Sequence, residues 1–160
     1  MKIARRQTRQ IGLGRVKIGK GAPVSIQSMT KTDTKDIEKT VRQIKRLEGL
    51  GCEIIRVAVK DEESASVISK LKKGISIPLE ADIHFDYRLA LSAIEQGSDG
   101  IRLNPGNIHM PAQVKEIIKA AKDNGIPVRI GVNSGSLSAI SPYPTAHTPQ
   151  PTAHTPDPTH

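Results

Sequence analysis

Two polar strings stand where aliphatic runs give out. Asp82, His84 and Asp86 occur at steps of two at the end of the run from Ile77 to Ile83, and Arg102 and Asn104 do the same in the run that starts at Gly100. Successive side chains of a strand alternate faces, so residues two apart project together wherever the chain stays extended. Each string then aims polar groups at one side near a strand's carboxyl end, which is where parallel α/β proteins bind ligands. His84, between two carboxylates, is a candidate for acid/base work or for hydrogen bonding a ligand. An ordinary surface or core histidine beside two acids gives the same string. Three successive predicted strands also carry an arginine: Arg56, Arg102 and Arg129. Guanidinium groups suit bidentate contact with phosphate oxygens, and three cations facing one another repel unless an anion lies between them. The expectation is a site for a multiply charged, phosphorylated small molecule, with Asn104 and Asn133 supplying neutral hydrogen bonds if the strands persist that far. The alternative is a structural network in which the arginines pair with Glu80, Asp82 or Asp99.

The elements that must hold these groups alternate along the chain. Gly12, Gly14 and Gly19 punctuate short runs and predict a small hairpin within residues 7–20. A first strand is expected over 24–30, and a helix follows with Ile37, Val41, Ile44 and Leu47 on one face, Asp33 as its cap, and Gly49 and Gly51 at its end. Strands are read at 54–59, 77–83, 100–104 and 127–133. Between them lie a helix capped by Asp61 and stopped by Gly74, one opened by Asp86 and stopped by Gly97, and one with Pro111 in its first turn and Asn124-Gly125 after its last. Repeated βα units predict a parallel sheet with right-handed crossovers. No G-x-G-x-x-G follows the first strand, which disfavours a dinucleotide fold. A complete (β/α)8 barrel needs eight strands and about 250 residues; about five βα units are present, so residues 1–137 read as an incomplete TIM-type barrel of α/β class.

Bulk properties narrow the partners. The chain has 160 residues, one Cys, no Trp, and 24 Lys and Arg against 16 Asp and Glu. One Cys excludes an intrachain disulfide framework and an all-Cys metal site, consistent with a cytoplasmic protein. No apolar run approaches membrane-spanning length. Seven of the basic residues and no acid lie in residues 1–20. That arm could bind nucleic acid, but it has no aromatics to stack on bases, and a solvated hairpin edge explains it as well. Residues 138–160 contain the near-copies 144–150 and 151–157, rich in Pro, Thr and His. This composition has nothing to bury and reads as a disordered or polyproline-like tail. Its His147, His154 and His160 have no framework to fix a metal geometry.

V-S-I-Q-S-M-T (24–30), G-C-E-I-I-R-V-A-V (51–59), I-P-L-E-A-D-I-H-F-D-Y-R-L-A-L (77–91), I-R-L-N-P-G-N-I (101–108) and I-P-V-R-I-G-V-N-S-G-S-L (126–137) together closely resemble the bacterial 4-hydroxy-3-methylbut-2-enyl diphosphate synthase family, over roughly residues 5–137. The resemblance implies a TIM barrel that binds 2-C-methyl-D-erythritol 2,4-cyclodiphosphate on the methylerythritol phosphate route to isoprenoids. The family opens this cyclic diphosphate reductively at a [4Fe-4S] cluster, with flavodoxin or ferredoxin as electron donor, and the full-length proteins are expected to be homodimers. Motif by motif, Arg56, Arg102 and Arg129 would hold the diphosphate, with His84, Asn104 and Asn133 as further contacts; no catalytic residue is assigned.

The chain also departs from that family. The later barrel strands and the domain whose three Cys and one Glu hold the cluster have no counterpart in these 160 residues, and Cys52, before the second strand, matches none of those ligands. The expectation is a truncated or frameshifted product without reductase activity of its own, with two exposed sheet edges and an open apolar interior. Two readings compete: a phosphate-ligand-binding module acting with a partner subunit, and a nucleic-acid binder using the basic arm.

Overall fold

The computed structural model describes residues 6–132. The repeat tail and Asn133 lie outside these described residues.

A hairpin of β1 (Ile11–Leu13) and β2 (Val16–Ile18) precedes a five-stranded sheet. The sheet is built from β3 (Gln27–Met29), β4 (Ile54–Val59), β5 (Leu79–Ile83), β6 (Gly100–Leu103) and β7 (Val128–Ile130), in sequence order and all parallel. The crossovers contain α1 (Ile37–Gly49), α2 (Glu62–Ser66) with α3 (Ile68–Lys73), α4 (Tyr87–Glu95) and α5 (Pro111–Asp123). This is the expected α/β half-barrel.

Strand parity divides the sheet chemically. Ile55, Val57, Val59, Leu79, Ala81, Ile83, Ile101 and Leu103 are buried on the helix-facing side. They share one core with Ile44, Ile68, Leu71, Leu89, Ala90, Ala93, Ile94, Ile117 and Ala121 of the helices. Each fully buried Val, Leu or Ile side chain there contributes about 1.5–3 kcal/mol. The other face carries Gln27, Met29, Arg56, Glu80, Asp82, Arg102 and Arg129 by the same alternation. The interior expected to be apolar is therefore polar through its middle. It is apolar toward the amino-terminal end, where Ile54 and Leu13 are buried. There Gly100 leaves room for the hairpin: a Cβ on it would come within 3.2 Å of Leu13 Cδ1.

The ends of several elements differ from the sequence reading. The first strand is three residues long instead of seven, and Val24 and Ile26 are exposed. As a sheet edge it pairs, among the described residues, only with β4. The opposite edge, β7, is likewise short and leaves Ile130 and Val132 exposed. Asp36, not Asp33, caps α1, accepting the Lys39 amide at 3.1 Å, while Asp33 turns its carboxylate to the Lys35 amide. Gly51 ends α1 at φ 92°, with its own N–H on Glu48 O and that of Cys52 on Leu47 O; this double bond pattern needs a left-handed residue. The single helix expected after Asp61 is two short ones meeting at Val67.

Candidate functional site

Register places the polar residues of the concave face in layers. In a TIM barrel the tilt shifts a horizontal layer by about one residue per strand, and alternate strands contribute to each layer. Across β3, β4 and β5, Gln27 lies opposite Ile54, and Ile55 opposite Leu79, so a two-residue step over two strands leads from Gln27 to Glu80. The same step over β6 and β7 leads from Glu80 to Arg129. One layer is therefore Gln27, Glu80 and Arg129. The next, from β4 and β6, is Arg56 and Arg102. Above it lie Met29 and Asp82.

Side-chain contacts follow these layers. Asp82, with its side chain 4 % exposed, stands between two arginines: Arg102 Nη1 donates to Oδ1 at 3.0 Å, and Arg56 Nε lies 3.3 Å from Oδ2. The Arg56 contact is an ion pair out of line for a hydrogen bond, and that Nε has no hydrogen-bond partner among the described residues. Among the described residues, Arg56 Nη2 meets only the weak acceptor Met29 Sδ, at 3.3 Å. A hollow lined by Gln27, Ser28, Met29 and Arg56 opens beside it. Arg102 is also held by its Nη2, which donates to the Gly131 carbonyl at 3.1 Å. One layer deeper, Arg129 Nε pairs with Glu80 Oε1 at 3.0 Å, and Arg129 Nη1 donates to Gln27 Oε1. Gln27 and Arg129 lie on the two opposite edges of the sheet. Their bond across the concavity shows that five strands already curl as a barrel wall.

Both parts of the sequence reading thus meet here. The arginines gather on one face, and two of the three alternative acids, Glu80 and Asp82, pair with them. Asp99 does not: it binds Lys72 and the Leu79 amide at the amino-terminal end of β5. Among the described residues, three guanidinium groups against two carboxylates leave the cluster positive, and Arg56 has no well-aligned carboxylate of its own.

The remaining candidates are dispersed. His84 lies just past the end of β5, half-buried, edge-on to Phe85. Asp86 does not join it. The strand stops at Ile83, and the Asp86 carboxylate caps α4 through the Arg88 amide and binds the Arg88 guanidinium at 2.6 Å. Asn104 does not extend β6, which ends at Leu103. It is buried, and its Oδ1 accepts the Gly106 amide in the following turn. Asn107 Nδ2 ties this turn to the His84 carbonyl at 2.7 Å, so the loops after β5 and β6 are joined directly. Cys52 is buried just before β4, at the end remote from the carboxyl-end loops.

Gln27 and Gly131 belong to the cluster, and side-chain chemistry alone did not single them out as ligand residues. The available signal was their stagger of two residues per two strands, which requires knowing that the sheet curls.

Two expected results follow from these contacts. A Cβ on Gly131 would fall on the Arg102 guanidinium. Gly131→Ala should therefore displace Arg102 from Asp82 and cost about 1–3 kcal/mol of stability, read by urea denaturation. The Asp86 carboxyl is held below the ordinary 3.8, first by the Arg88 side-chain hydrogen bond and then by the Arg88 amide. Its stabilising contribution is complete above that ordinary value and is lost as pH falls through the depressed one. Asp86→Asn should flatten the acid limb of thermal stability against pH.

Comparison with known proteins agrees with the architecture. Residues 8–153 match the family described as the GcpE TIM-barrel domain. The 4-hydroxy-3-methylbut-2-en-1-yl diphosphate synthase (flavodoxin) of Thermodesulfovibrio yellowstonii is 63 % identical over 135 residues, 84 % of this chain and 39 % of that protein. The protein of the same name from Caldicellulosiruptor saccharolyticus is 64 % identical over 130 residues, 81 % of this chain and 38 % of that one. The chain thus spans about two fifths of the length of these curated relatives. Among solved structures, the 7,8-dihydropteroate synthase of Vibrio fischeri superposes with a TM-score of 0.56 at 12 % identity, covering 77 % of this chain and 48 % of its own, a likeness of fold alone. With the curled parallel sheet and its charged interior, these matches show that the chain belongs to the GcpE TIM-barrel family.

Proposed function

We propose that this chain is the diphosphate-binding part of a 4-hydroxy-3-methylbut-2-enyl diphosphate synthase. The observation that carries the reading is the Arg56 and Arg102 layer, two guanidinium groups sharing the one buried carboxylate of Asp82 and facing the open concavity. An anion entering there meets a site already positive, with Arg56 Nε making no aligned hydrogen bond and Arg56 Nη2 donating to the weak acceptor Met29 Sδ among the described residues. The ligand is 2-C-methyl-D-erythritol 2,4-cyclodiphosphate, whose two phosphates suit planar donors on neighbouring strands. Arg129 extends the site downward. His84 and Asn104, from the ends of β5 and β6, border it above, and Asn133 is the further contact that the sequence offers after β7. What these residues contribute is binding and orientation, with the curved sheet excluding water from one side.

Electrons for the reductive ring opening come from flavodoxin, as the names of the relatives state for those proteins; ferredoxin is the other carrier to test. The family's [4Fe-4S] cluster does not fit the described residues. They hold no group of three or more His, Cys, Asp or Glu able to bind a metal, and Cys52 is buried away from the arginines. No described helix is long and apolar enough to cross a membrane.

Titration calorimetry of the 160-residue chain with inorganic pyrophosphate tests the anion site. The expected result is binding that weakens at least about tenfold in Arg102→Ala, the loss of one charge-assisted contact. Equal affinity in the two proteins would sink the reading.

A further inference from the structure

We infer that Glu80 and Gln27 are positioning residues that set Arg129 as a pre-oriented anion donor. The inference rests on the anion site proposed above and deepens it.

Glu80 is 1 % exposed, and a carboxylate so enclosed is costly unless both oxygens are engaged. Both are. Oε1 lies 3.0 Å from Arg129 Nε in an ion pair, and Oε2 accepts Gln27 Nε2 at 2.9 Å. Gln27 Oε1 in turn accepts Arg129 Nη1. Three residues from β3, β5 and β7 thus form a closed ring of two hydrogen bonds and one ion pair across the concavity. The two hydrogen bonds fix the orientation of Gln27. Gln27 must turn its amide nitrogen to the carboxylate and its oxygen to the guanidinium, because the flipped amide would set oxygen against oxygen and donor against donor. Arg129 Nη1 is committed to Gln27 on β3 and Nε faces the Glu80 carboxylate on β5, which restricts the side chain and leaves Nη2 without a hydrogen-bond partner among the described residues. An arginine held in this way loses little side-chain entropy on binding.

The chemistry of the ring makes a signed test possible. In Glu80→Gln the new amide can satisfy Arg129 or Gln27 but not both, since one donor then faces another. By charge alone, removing a carboxylate beside an anion site should tighten binding; if Glu80 positions Arg129, binding should weaken. Gln27→Glu breaks the ring from the other side by setting two carboxylates together. The double exchange Gln27→Glu with Glu80→Gln restores every donor to an acceptor and keeps the total charge. Gln27→Ala removes the far partner while leaving the Glu80–Arg129 pair, and serves as the milder variant.

Pyrophosphate affinity by calorimetry, with melting temperature by circular dichroism on each protein, reads the outcome on the full 160-residue chain. Glu80→Gln is expected to weaken binding roughly tenfold, Gln27→Ala by less in the same direction, and the double exchange to recover the starting affinity. In an Arg129→Ala background, Glu80→Gln should cause no further loss, because the donor it positions is gone. Unchanged or tighter binding by Glu80→Gln, or an equal loss with and without Arg129, overturns the inference while leaving the anion site standing. If Glu80→Gln does not fold, failure of Gln27→Ala to weaken binding overturns it equally. If the unaltered chain binds no pyrophosphate, the anion site fails and this inference falls with it.

Discussion

Asp82→Ala lowers the stability of the chain by about 3 kcal/mol, and the loss comes from electrostatics as much as from packing. Removing one partner of a buried ion pair costs about 3–5 kcal/mol because the other charge stays behind unpaired. Here two charges stay behind. Arg56 and Arg102 occupy the same layer and share Asp82 as their carboxylate. The lower end of the range applies because their side chains are 28 % and 15 % exposed, so water partly compensates. Urea denaturation reads the midpoint. Pyrophosphate or high salt should return part of the lost stability, since either screens or bridges the two arginines. A midpoint within experimental error of the unaltered chain would show that the arginines do not need Asp82.

Leu79→Ala, three residues earlier on β5 and on the opposite face, is expected to cost about 2–5 kcal/mol without touching the charged layers. Leu79 is fully buried within the core shared by sheet and helices. Its loss removes transfer free energy and leaves a cavity in a wall that the two flanking strands, β4 and β6, hold in place on either side. The contrast between the two variants is the informative measurement. Asp82→Ala should change stability and salt dependence together. Leu79→Ala should change stability alone, with pyrophosphate affinity kept at temperatures where the chain remains folded. If Leu79→Ala abolished binding while the circular dichroism of the folded state persisted, the two faces of β5 would be coupled, and the separation of core from site would be wrong.

Much of the architecture was legible in the chain itself. The alternation of aliphatic runs with helical periodicity announced five parallel strands, and Asp61, Asp86 and Pro111 marked helix starts that the structure retains. These signals are local: capping needs a side chain within three residues, and periodicity needs only one face. The gathering of Arg56, Arg102 and Arg129 on one side of the sheet was also legible, because parity along a strand is set by backbone geometry.

What those arginines touch was not. Arg129 looked equivalent to the other two, yet it lies one layer deeper and bonds Gln27, 102 residues away in sequence. Layer membership depends on the stagger between strands and on the curl that brings both edges of the sheet together, neither of which any single strand encodes. The same limit governed the ends of the strands. Residues 24–30 have the composition of a seven-residue strand, but an edge with one neighbour supports only three. Asp86 and Asn104 stood at the correct spacing for a site and were taken by a helix cap and a turn instead, because β5 ends at Ile83 and β6 at Leu103. Covalent geometry and side-chain pattern thus determined which residues could face the concavity. Tertiary closure decided which of them meet there, since ion pairs between distant strands form only after the sheet has curled.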